Sequence, residues 1–274
     1  MVSRRREAAC LSRLSWARAE GDPSIALSSI FAGRSEGFNG HSPDVEWTRV
    51  AQEAAFRRAD VCVLPNEYVR VVYESLRRAD SRVGYLLSGS RTMLPRGVPP
   101  LDPQYIYYLD LGRRAAIKGF DVVIEAFRRA HAVDSSMRLL LVGGGERVDE
   151  PGILDIGRSE EPADSLSACD YLISANRQSY FHLSVMESLS LGTPMIIACT
   201  GGHRFFSGLG SPGISPIPSA DTAALFGALL ENRKKRAGNA VGVAANKLLH
   251  EEVLANYRYR ERLDQVLARL AGER

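Results

Sequence analysis

The sequence predicts an α/β fold whose main sheet is parallel and carries helices on both faces, preceded by a smaller α/β portion. Three observations predict it. The apolar runs at 139–142, 171–173 and 195–198 are continuous rather than alternating, as strands buried on both sides require. Stretches with apolar residues at helical spacing stand between such runs, the pattern of strand–helix–strand units. Leu94-Pro95-Arg96-Gly97-Val98-Pro99-Pro100 sets three prolines and a glycine close together, the composition of a stiff connection between domains. The expected organisation is a partial N-terminal domain over 1–98, the parallel-sheet domain over 99–250, and a C-terminal helix over 251–274 packing back on the first part.

Element by element, residues 1–44 show no clean period, and 33–43 reads as a turn-rich loop. From 46 to 58 the spacing of Val50, Ala54, Ala55 and Phe56 predicts a helix. Val61-Cys62-Val63-Leu64 reads as a strand ended by Pro65 and Asn66, and a helix is expected over 68–78. Past the connection, 105–109 reads as a strand and 120–131 as a helix burying Val123, Ile124 and Phe127. Runs at 139–142, 153–156, 171–173 and 195–198 supply further strands, with helices after Pro162, Leu183 and Asp221. In the last segment Val253, Tyr257, Leu263, Val266, Leu267 and Leu270 fall at helical spacing.

Composition narrows the function classes. The chain has 274 residues, is 45% hydrophobic and 24% charged, and carries a net charge of +3, the balance of a globular protein. No run approaches the roughly 18 apolar residues of a membrane span. Arg4-Arg5-Arg6 runs into Glu7 and Ala8 rather than an apolar core, so no secretory leader is read and the cytoplasm is the expected compartment. The arginines are scattered among acids, which predicts no nucleic-acid partner. Cys10, Cys62, Cys169 and Cys199 form no C-x-x-C pair, so neither a zinc site nor a disulfide framework is expected.

In a parallel sheet of this kind ligands bind beyond the carboxyl ends of the strands, and the loops there are distinctive. After 105–109 come Gly112, Arg113 and Lys118, a fork and a point charge that together suit a pyrophosphate. After 139–142 come Gly143, Gly144 and Gly145, which let backbone approach a ligand; Val148 stands where a dinucleotide fingerprint needs its third glycine. After 171–173 come Ser179, Tyr180, Phe181 and His182, then a helix opening at Leu183 and Ser184 and holding Glu187 one turn further in. Free N–H groups at such a start attract phosphate, and a carboxylate there can accept from vicinal hydroxyls. Gly201 and Gly202, followed by His203, form the loop after 195–198.

Taken in order, these segments resemble the C-terminal, donor-binding domain of glycosyltransferase family 4, which has the Rossmann-like GT-B fold. Leu94-Pro95-Arg96-Gly97-Val98 is similar to its "P-N-G-V" stretch, and Gly112-Arg113 with Lys118-Gly119-Phe120-Asp121 to its "G-R-x4-K-G-x-D" motif. Val142-Gly143-Gly144-Gly145 stands where that family has "V-G-x-G", and 181–194 resembles "F-G-L-x-x-x-E-A-x-A-x-G-T-P". The resemblance implies a retaining, metal-independent hexosyltransferase using a nucleotide-diphosphate sugar and a glycan or lipid-linked acceptor, with no cofactor and with peripheral membrane contact. By it, Arg113 and Lys118 bind the pyrophosphate and carry the catalysis, the backbone at Leu183 and Ser184 caps it, and Glu187 holds the ribose hydroxyls. The glycines, Ser179, Phe181 and His182 complete the sugar-nucleotide site. No Asp-x-Asp triplet occurs in the chain.

Two departures accompany the resemblance. Ser179 stands where the E-x7-E motif has its first glutamate, and His182 replaces a glycine. Residues 46–98 resemble only the end of the family's N-terminal domain, which implies a shortened chain or a half-enzyme with a partner chain supplying the remainder. The alternative expectation is a catalytically silent nucleotide-sugar-binding subunit of another glycosyltransferase.

Overall fold

The computed structural model describes residues 25–27 and 44–272. The chain divides into two units, Met1–Leu86 with Val266–Arg274, and Leu87–Gln265. The expected loop at 33–43 lies outside the described residues, as does Cys10. Among the described residues no helix is long and apolar enough to cross a membrane.

The first unit contains β1 (Ile25–Leu27), α1 (Asp44–Arg58), β2 (Val61–Leu64), α2 (Arg70–Tyr73) and β3 (Arg82–Tyr85). Its three strands are parallel in the order β1-β2-β3. The middle strand Val-Cys-Val-Leu is buried throughout, as its unbroken apolar run requires. Phe56 of α1 stacks on Tyr73 of α2 at 5.1 Å. The helix expected over 68–78 is shorter: a 3-10 turn over Glu67–Val69, capped by the Asn66 side chain, leads into α2, which stops at Tyr73. Val69, Val72, Tyr73 and Leu76 are all buried, so the apolar spacing persists past the helix end and mimics a longer one.

The second unit is built on β4 (Ile106–Leu111), β5 (Met137–Val142), β6 (Ile153–Gly157), β7 (Tyr171–Ser174), β8 (Met195–Ala198) and β9 (Ile214–Ile217). All six are parallel, in the order β6-β5-β4-β7-β8-β9. Chain order therefore reverses at β4, and the carboxyl ends of β4 and β7 mark the switch point beyond which ligands bind in such sheets. The helices are α3 (Phe120–Val133), α4 (Pro162–Ala168), α5 (Leu183–Ser190), α6 (Arg204–Ser207), α7 (Thr222–Glu231), α8 (Ala240–Leu249) and α9 (Asn256–Gly272), the last of which belongs to the first unit from Val266 onward. A π-helical turn, His250–Leu254, joins the last two.

Alternation along each strand divides the core into two layers. Leu139 and Leu141 face one side with Tyr108, Ile173 and Ile196, under Val123 and Phe127 of α3 and Leu225 and Leu229 of α7. Leu140 and Val142 face the other with Leu109, Leu172 and Ile197, under Leu166 of α4 and Val185 and Leu189 of α5. Each such aliphatic side chain contributes about 1.5–3 kcal/mol on burial. The Pro- and Gly-rich segment lies along α4, where the Asp164 carboxylate accepts from the Arg96 and Gly97 amides at 2.7 and 3.1 Å.

Candidate functional site

The site is built from four loops at the carboxyl edge of the sheet. The loop after β4 begins by continuing the ladder: Gly112 N–H donates to Val142 O at 2.9 Å and Arg114 N–H to Gly144 O at 3.1 Å. It then turns through a 3-10 segment, Ala116–Lys118, and leaves it at Gly119 with φ +70° before α3 starts. A Cβ at Gly119 would sit 1.9 Å from the Ala175 carbonyl oxygen, so only glycine lets this loop lie against the one after β7. Gly201, at φ +45°, makes the same allowance one loop further along, where a Cβ would lie 2.3 Å from Ser179 O. The Gly202 amide donates to that oxygen at 2.8 Å.

Charge at this edge is arranged with a division of labour. Arg113 is exposed, whereas Arg114 is buried and paired with a buried Asp155 on β6. Asp155 also accepts from the Val148 and Gly157 amides at 2.8 and 3.0 Å, and Arg114 holds its carboxyl below the usual carboxylate range. Arg114 thus ties three loops together, and Arg113 faces solvent at the same edge. Arg177 likewise braces the β7 loop, gripping both oxygens of Asp121 and accepted by the Ala116 carbonyl.

Lys118 is the centre of the cluster. Burial, then the neighbouring Arg113, lowers its pKa to about 8, while Asp110 beneath it opposes the shift. Asp110 is the penultimate residue of the central strand β4, and burial raises its carboxyl to about 7 against the pull of Lys118 and Arg114. The same ammonium acts on His182, whose pKa burial and Lys118 lower to about 3, and on His203, lowered well below the ordinary value by burial, His182 and Lys118. His182 is the residue that opens α5. Lys118 therefore bears on Arg113 on one side and on the start of α5 on the other.

The β7 loop is strained where it meets this cluster. Phe181 has φ +74°, a left-handed conformation that costs a bulky side chain about 1–2 kcal/mol. Its ring, stacked on Phe206 at 5.1 Å, and its amide, donating to Ser179 Oγ at 3.2 Å, hold it there. Ser179 is fully buried, Leu183 and Ser184 form the accessible first turn of α5, and Glu187 is half-buried. Burial raises the Glu187 carboxyl, and Arg91 draws it back. Gly143, Gly144 and Gly145 lie beside the β4 loop, with the Arg158 guanidinium against Gly144.

All the residues singled out from the sequence thus fall on one edge of one unit. Sequence reasoning missed Asp110, Arg114 and Asp155. The last carried a signal, since a carboxylate inside the apolar run Ile153-Leu154-Asp155-Ile156 needs a buried partner. A hollow of about 640 Å³ lined by Thr92, Ser190, Arg236, Lys247 and His250 lies elsewhere. It sits where α4 and α5 end, away from the ligand edge, and Arg236 there donates to the carbonyls of Leu166, Ser167 and Leu191.

Comparison with known proteins agrees with this fold. Residues 106–232, just under half of the chain, match the family model of group 1 glycosyl transferases. Mannosylfructose-phosphate synthase of Agrobacterium fabrum is 27% identical over 115 residues, which are 34% of this chain and only 25% of that synthase. Sucrose-phosphate synthase of Thermosynechococcus elongatus superposes with a TM-score of 0.71 at 16% identity, over 95% of this chain and 71% of that one. Anabaena HepE, solved in complex with UDP and glucose, gives 0.69 at 13% identity, over 92% and 73%. Residues 106–232 of the second unit are thus similar to group 1 glycosyl transferases, and its six-stranded parallel sheet has the Rossmann-like fold of the GT-B structures.

Proposed function

We propose that the protein is a retaining, metal-independent glycosyltransferase that moves a hexose from a nucleotide-diphosphate sugar to a glycan or lipid-linked acceptor in the cytoplasm. The observation that carries the reading is that the loop bearing Arg113 and Lys118 is seamed, at Gly119 against the Ala175 carbonyl, to the β7 loop that leads into α5, where Lys118 bears electrostatically on both Arg113 and His182. Two protein cations match the two negative charges of a sugar diphosphate, and the first-turn amides at Leu183 and Ser184 add directed N–H groups. As the bond between the anomeric carbon and the diphosphate oxygen breaks, charge grows on that oxygen, and cations preorganised at a half-buried edge stabilise it. The acceptor hydroxyl adds to the anomeric carbon on the face the diphosphate leaves, and its proton passes to the departing phosphate. Glu187, whose carboxyl burial raises above its ordinary value, is assigned to the ribose hydroxyls.

A second reading rests on Ser179. Its buried hydroxyl accepts from the Phe181 amide and brings no charge to the site, as expected of a nucleotide-sugar-binding subunit that leaves transfer to a partner chain. Affinity and turnover separate the two. Charge-assisted contacts are worth about 1.5–3 kcal/mol, so Arg113→Ala and Lys118→Ala should each weaken nucleotide-sugar binding about 10- to 100-fold. Binding should also weaken above about pH 8, where Lys118 loses its proton. Calorimetry across a panel of nucleotide sugars that found wild type and both variants equal would dismiss the cation clamp. Anomer-resolved sugar release or transfer by the chain alone would favour the enzyme, and binding without turnover the silent subunit.

A further inference from the structure

His182 and His203 lie 21 positions apart in sequence and meet because β7 and β8 are neighbours in the sheet. His182 Nδ1 and His203 Nε2 face each other at 3.2 Å, with the rings edge to face at 5.1 Å. Ser179 Oγ stands 3.4 Å from the same Nδ1, and the His182 amide is directed at His203 Nε2. Between two neutral rings one facing nitrogen carries a hydrogen and the other a lone pair. His203 is 0% exposed, and its other nitrogen, Nδ1, has no hydrogen-bond partner among the described residues. Burying a ring nitrogen without a partner is unfavourable.

We infer that His182 and His203 form one proton-binding unit of the anion site, which takes up a proton from solvent when a dianion settles at Lys118. The inference rests on the reading of this edge as a diphosphate site. In the free protein two things keep the pair neutral, its burial and the Lys118 ammonium. A dianion beside Lys118 reverses the sign of the second. The added proton leaves one hydrogen on the line between the facing nitrogens and puts hydrogens on both outer nitrogens. His182 Nε2–H then becomes a charge-assisted contact to the ligand, and His203 is the positioning residue that holds the ring. The groups bearing on the pair are Lys118, the Tyr180 ring against His182 and, through Lys118, Arg113 and Asp110.

Sulfate tests this, since its charge stays at −2 over the pH range concerned and it carries no base or sugar. In 15N-histidine spectra of the full chain, His182 is expected to stay neutral at pH 6 in chloride. Saturating sulfate should move its ring signals to those of an imidazolium. Sulfate affinity should rise on acidification between pH 7 and 5.5, by up to about tenfold per pH unit for each proton taken up, and less steeply in His182→Gln. Asp110 titrates in the same window, so the ring signal and the difference between the two proteins decide, not the total proton count. Sulfate that binds while His182 stays neutral overturns the inference alone. No sulfate binding at any pH removes the diphosphate site and the inference with it.

Discussion

Replacing Arg114 by alanine is expected to cost about 3–5 kcal/mol of folding stability, because it strands a buried carboxylate rather than merely losing a contact. The Arg114 and Asp155 side chains are only 5% and 4% exposed, so in the intact protein the guanidinium rather than water satisfies the carboxylate. The loss is conditional on Asp155 being ionised. Arg114 depresses that carboxyl, so the pair stabilises the fold above the ordinary carboxylate range and ceases to do so as pH falls through the depressed value. Urea unfolding should therefore find a large penalty at pH 7 and a smaller one in acid. The double variant Arg114→Ala/Asp155→Ala should lose less than the sum of the two single ones. A penalty that does not change with pH would mean that packing, not charge, holds the three loops together.

Gly119→Val is expected to destabilise the second unit by at least about 3 kcal/mol, through two causes that add. A β-branched residue resists φ +70°, and its Cβ would lie 1.9 Å from the Ala175 carbonyl oxygen. Backbone on both sides must move, and Gly119 directly follows Lys118. Ligand affinity should fall together with stability, whereas Lys118→Ala should lower affinity with little change in the unfolding midpoint. A Gly119→Val protein of wild-type stability would show that the β4 and β7 loops are not seamed at this point.

What the sequence disclosed follows from where each element is buried. β4, β5, β7 and β8 are central strands with long apolar runs, and all four were legible. β3 and β9 are edge strands, and Arg82-Val83-Gly84-Tyr85 and Ile214-Ser215-Pro216-Ile217 lack such a run. Pro216 in particular suits only an edge, and it disguises the strand. At the site, glycines and cations were legible because their spacing is local. The roles of adjacent Arg113 and Arg114 were not, since a doublet on extended backbone sends one side chain inward and the other outward without saying which. The His182–His203 pair was equally hidden, because only the neighbouring positions of β7 and β8 bring the two rings together.

The most direct measurement follows side chains and backbone of the edge together while inorganic pyrophosphate is titrated into the isotopically labelled chain. The Lys118 ammonium signal and the Leu183 and Ser184 amide signals should shift along one saturation curve with a single dissociation constant, and Arg113→Ala should move that constant for all three. Shifts confined to Lys118 with the opening of α5 unmoved, or separate constants for the two, would contradict a shared grip on a diphosphate.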